Sequence, residues 1–85
     1  MERITEKMLQ ARVDYLNKIK GFTPETVEYN TLGAFRLDYA YGGVSLEQVL
    51  TDGGGVSDVF NAGHVPKREL WYRLNAFIAG ITGNY

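Results

Sequence analysis

Two stretches of helical periodicity enclose a glycine-punctuated block of strand-like alternation, and this order leaves an 85-residue chain few ways to bury its apolar side chains. Ile4, Met8, Leu9, Val13, Leu16 and Ile19 recur at helical spacing and form one apolar stripe over residues 5–20. Thr5 is placed as N-cap, with Glu6 in the first turn. Ile4 and Leu9 flank the cap as a hydrophobic staple, and Gly21 supplies the stop.

The period then changes. After a connector at Phe22-Thr23-Pro24-Glu25, Val27 and Tyr29 form a short candidate edge strand. From Ala34 to Tyr41 the alternation is clean: Phe35, Leu37, Tyr39 and Tyr41 on one face, Arg36, Asp38 and Ala40 on the other. Gly42-Gly43 marks a turn, and Val44 to Leu50 follows with Val44, Leu46 and Leu50 facing one way. Thr51-Asp52-Gly53-Gly54-Gly55 has hairpin-turn composition, and Val56 to Phe60 is a further short strand. Residues 66–80 form a second helix opened by Pro66, with Leu70, Leu74, Phe77, Ile78 and Ile81 as its stripe and Gly80 and Gly83 at its end. The expectation is a single α+β domain over residues 1–85: an N-terminal helix, a three- to four-stranded antiparallel sheet and a C-terminal helix, both helices on one sheet face.

Composition narrows the function. Nine Lys and Arg against ten Asp and Glu leave a net charge of −1, too little positive charge for a binder of DNA or RNA polymers. No cysteine is present and only one histidine, which excludes thiolate metal sites, disulfides and thiol chemistry. No apolar run is long enough to span a membrane, and the first residues lack the apolar core of a signal peptide, so a cytoplasmic protein is expected. A core this small, without a covalent or metal staple but with six tyrosines, points to a homo-oligomer, a dimer or higher.

Enzyme templates find no match. There is no nucleophile elbow, no Walker A pattern and no nucleophile beside a base. Glu47, Asp52 and Asp58 are a weak candidate acid cluster, since carboxylates beside glycine turns ordinarily form turns. The segment from Gly63 to Tyr72 carries more. With Pro66 opening a helix, Lys67 and Arg68 fall in its first turn, the unfavourable end for cations unless an anion joins them. Free backbone N–H groups and two cationic side chains would then converge on one phosphate. The glycines after Asp52 allow close approach of a ligand, and Tyr41 offers a ring for stacking on a base. The plainer reading is solvated side chains, an ordinary flexible hairpin and aromatics that cover the sheet or a subunit interface.

Three segments, Leu37-Asp38-Tyr39-Ala40-Tyr41-Gly42-Gly43-Val44-Ser45-Leu46, Gly53-Gly54-Gly55-Val56-Ser57 and Gly63-His64-Val65-Pro66-Lys67-Arg68-Glu69-Leu70, resemble small phage- and prophage-encoded proteins. Ile4-Thr5-Glu6-Lys7 and Leu16-Asn17 fit the same pattern. Within that group the chain looks most like the Thoeris anti-defence proteins of the first type. The resemblance implies a non-enzymatic oligomer without a cofactor. Such a protein sequesters a cyclic ADP-ribose-type immune signal, and in some members cyclic oligonucleotides, in the host cytoplasm. It also implies Tyr41 against the adenine, Thr51 or Asp52 with Gly53 at the glycine turn, and Arg68-Glu69 at the last helix. His64 and Lys67 adjoin that set. A second basic residue of the family falls at Tyr72, with Arg73 next to it, which departs from the pattern. The alternatives are an inhibitor that covers the surface of a host defence protein and a small nucleotide hydrolase.

Overall fold

A computed structural model describes residues 3–22, 32–51 and 55–83. Helix α1 spans Glu6–Ile19, strands β1 Phe35–Ala40, β2 Gly43–Val49 and β3 Val56–Asp58, and helix α2 Lys67–Thr82. The three strands form one antiparallel sheet in the order β1-β2-β3, so the expected α+β arrangement is present. Beside these two strand pairings, Val44 and Val65 form an isolated antiparallel bridge. The candidate strand at Val27 and Tyr29 lies outside the described residues.

Local chemistry sets both ends of α1. The Thr5 hydroxyl accepts from the Met8 N–H at 3.2 Å, satisfying one orphan donor of the first turn. At the other end Gly21 takes φ +94°, the Gly21 N–H donates to the Lys18 carbonyl and the Phe22 N–H to the Asn17 carbonyl. This paired closure is a Schellman motif, and glycine supplies the backbone conformation it needs.

Both helices pack on the same sheet face. Leu9, Val13 and Leu16 of α1 and Leu70, Leu74 and Ile78 of α2 form one buried cluster with Phe35, Val44 and Leu46. Phe77 extends it, edge-on to both Phe35 and Phe60 at centroid separations of 5.9 and 5.7 Å. Trp71 packs against the same cluster.

The two-residue period overran several boundaries. Strand β1 ends at Ala40, and Tyr41 belongs to the turn. Leu50 does not join Val44 and Leu46: its N–H donates to the Gly55 carbonyl at 2.7 Å and its side chain is 57% exposed. Strand β3 stops at Asp58 because the Asp58 carboxylate accepts the Gly63 N–H at 2.7 Å and folds the chain into a turn. Val59 and Phe60 reach the core from that turn. Helix α2 runs through Gly80 and is ended by Gly83 at φ +71°, while Ile81 is largely outside the core. Gly80 therefore weakens a helix interior, and a Cβ there meets nothing within 4 Å. Gly80→Ala should raise the unfolding free energy by ~0.5–1 kcal/mol, read from urea titration.

Candidate functional site

The β1–β2 connection is a two-residue hairpin, Ala40 pairing with Gly43 around Tyr41 (φ +55°) and Gly42 (φ +74°). Positive φ at both central positions is the type I′ geometry, which favours Asn or Gly at the first of them. A tyrosine there costs about 1 kcal/mol of backbone strain. Nor does the ring add to the core, since Tyr41 is 96% exposed. Its described ring contact is with His64, edge-on at 5.5 Å between centroids and 71° between planes.

His64 is held from two directions. Its neighbour Val65 exchanges backbone hydrogen bonds with Val44 at 2.8 and 2.9 Å. Its Nε2 lies 2.7 Å from Oδ2 of Asp38, on the far side of the sheet's central strand. The close approach depends on Gly43, where a Cβ would come within 2.9 Å of the Val65 carbonyl oxygen and 3.0 Å of the His64 carbonyl carbon. Gly43→Ala should push this segment off the sheet and lower stability by ~1–3 kcal/mol, with the Val44–Val65 amides losing hydrogen-exchange protection.

Helix α2 starts directly after the bridge. Pro66 occupies the cap position (φ −57°, ψ 150°), one residue before the expected first helical position, and offers no side-chain cap. Lys67, Arg68 and Glu69 thus supply the first turn, with the first intrahelical bond running from Leu70 N–H to the Pro66 carbonyl at 3.1 Å. That turn begins two residues after Val65, which bridges to Val44 at the end of β2 that follows Tyr41 and Gly42. Lys67 and Arg68 are half-buried, and Arg68 is engaged with a partner. Glu69 Oε2 pairs with Arg73 Nη2 at 3.3 Å along the exposed side of the helix. Tyr72 is 62% exposed, one turn further along.

Thr51 lies elsewhere. It follows the C-terminal end of β2, whereas Tyr41 precedes its N-terminal end. Seven extended residues separate them by about 20 Å. One protomer therefore does not gather Tyr41 and Thr51 around one small ligand. The Thr51 hydroxyl is also in use, accepting the Gly55 N–H at 2.9 Å to close its own turn. Asp52 and Gly53 lie outside the described residues.

The other polar groups on the sheet have local work. Arg36 Nε donates to Glu47 Oε1 at 3.1 Å between directly opposed residues, and Glu47 faces Asp58 across β2–β3. Partial burial, and secondarily the Glu6 carboxylate, hold the Tyr39 phenol above its usual pKa. Among the described residues no three His, Cys, Asp or Glu side chains gather as a metal site, and no helix is long and apolar enough to cross a membrane. Asp38 escaped sequence reasoning, because its partner is 26 residues away and polar residues on a strand's outer face are ordinary. The available signal was His64 itself, a loop imidazole in need of a partner.

Comparisons with protein-family models, with curated proteins and with solved structures returned no match. The candidate site is an exposed aromatic on a strained hairpin, braced by a histidine–carboxylate pair, close in sequence to a helix start without a side-chain cap.

Proposed function

We propose that the chain binds an anionic nucleotide non-covalently at the end of the sheet shared by Tyr41, His64 and the first turn of α2. The observation that carries this reading is Tyr41: a ring 96% exposed, on a backbone conformation that disfavours it. A base would stack on Tyr41, and a phosphate would meet Lys67, Arg68 and the N–H groups of the α2 start. The resemblance to the Thoeris anti-defence proteins supports the finer reading. The ligand is a cyclic ADP-ribose-type immune signal, held intact in the cytoplasm of an infected host by a homo-oligomer, without cofactor or turnover.

The test is capture and release. Purified protein incubated with cyclic ADP-ribose, washed and heat-denatured should release the nucleotide unaltered. Cleaved nucleotide in molar excess over protein would identify a hydrolase, and no retained nucleotide would remove this ligand. Lys67→Ala and Arg68→Ala should weaken binding more at low salt than at high salt, since they remove charge; Arg68→Ala should do more, because it loses a bidentate donor. Light scattering that gives the mass of one chain would overturn the oligomer.

A further inference from the structure

We infer that Asp38 is the positioning residue of this site: it acts through His64 to hold the Tyr41 ring in its presented orientation before any ligand arrives. The inference rests on the proposed role of Tyr41 as the stacking ring.

A tyrosine on a solvent-exposed hairpin tip has the tripeptide's freedom at its side-chain torsions, and binding must then freeze them. Here the ring already has a wall, the imidazole of His64 at 5.5 Å. That wall is firm only if the imidazole cannot rotate. The backbone of His64 is fixed by the Val44–Val65 bridge and by the absent Cβ of Gly43, but neither restrains the ring. The 2.7 Å contact from Nε2 to Asp38 does, and Asp38 stands on β1 opposite Ser45, within the regular ladder. Stiffness therefore passes from the ladder to Asp38, to the imidazole and to the phenol. The carboxylate itself is an unsuitable neighbour for a phosphate, and its contact with His64 gives it a use that requires no ligand contact.

Side-chain freezing at an interface is worth about 0.5–1.5 kcal/mol, so losing the brace should weaken binding about two- to tenfold. The first readout needs no ligand. In the full chain with isotope-labelled Tyr and His rings, the Tyr41 and His64 rings should show a nuclear Overhauser contact. Asp38→Ala should abolish it, and Asp38→Asn should keep it, since the amide oxygen still accepts from Nε2–H. Asp38→Ser, too short to reach the imidazole, should behave like Asp38→Ala and guards against one variant failing to fold. A ring contact that persists in both truncated variants would overturn the inference. The second readout is calorimetric titration with cyclic ADP-ribose. Asp38→Ala should weaken binding in the wild-type background and have no further effect once Tyr41→Ala is present. An undiminished Asp38→Ala effect in the Tyr41→Ala background would also overturn it. Wild-type protein that does not bind cyclic ADP-ribose counts against the proposed ligand alone, and the ring contact still decides the role of Asp38.

Discussion

Asn17→Leu should remove most of the chain's stability, about 2–5 kcal/mol, although leucine nearly matches asparagine in shape. Asn17 is 5% exposed in the apolar seam of α1. Its Nδ2 donates to the Phe35 carbonyl at 3.0 Å, and its Oδ1 accepts the Phe35 N–H at 2.8 Å. The amide therefore stands in for a neighbouring strand at the first residue of β1, and ties the helix to the sheet with both polar groups of one peptide. Phe35 is itself 4% exposed, so water has little access to replace these bonds. Leucine would leave a buried N–H and a buried C=O without partners, each costing about 1–3 kcal/mol. A core of this size supplies only ~3–5 kcal/mol in total. The urea midpoint should fall accordingly, with a partly unfolded population already present without denaturant. A midpoint within experimental error of the wild type would mean that this junction contributes nothing.

Tyr41→Asn should act on two quantities with opposite signs. Asparagine accepts the left-handed conformation, and Asn-Gly is the preferred pair for this hairpin. Relief of the strain at φ +55° should stabilise the fold by about 1 kcal/mol, and the 96% exposed ring gives up almost no buried area in exchange. Nucleotide binding should meanwhile weaken by about 1–3 kcal/mol, the range for loss of a base–aromatic stack, with little change in its salt dependence. Melting curves beside calorimetric titrations separate the two effects. A variant that is less stable and binds equally well would show that the ring supports the fold and not a ligand.

Much of the architecture was legible because it rests on short-range chemistry. Thr5, Gly21 and Gly83 mark helix ends through their own hydrogen bonding or backbone freedom, and each does so within four residues. Strand alternation identified β1 and β2, but alternation has no internal signal for where pairing stops. Tyr41 continued the pattern of Phe35, Leu37 and Tyr39 into the turn, and Leu50 continued that of Val44 and Leu46. Asn17 carried a usable signal: it falls four residues after Val13, on the buried stripe, where a polar side chain requires a specific partner. The Asp38–His64 brace was half signalled: the loop imidazole called for a partner, but which one depends on β2 lying between two segments far apart along the chain. The fold keeps Tyr41, His64, Lys67 and Arg68 at one end and sends Thr51 to the other.

That division would turn any ligand capture that used both ends of β2 into a matter of concentration. A nucleotide spans far less than the roughly 20 Å between the two ends of β2. Any single molecule that touches both the tyrosine hairpin and Thr51 must take one from each of two chains. Occupancy would then depend on how much protein is assembled as well as on how much ligand is present, and dilution would release cargo by dissolving the site. If the hairpin end suffices alone, titrations at different protein concentrations will superimpose, with one ligand per chain.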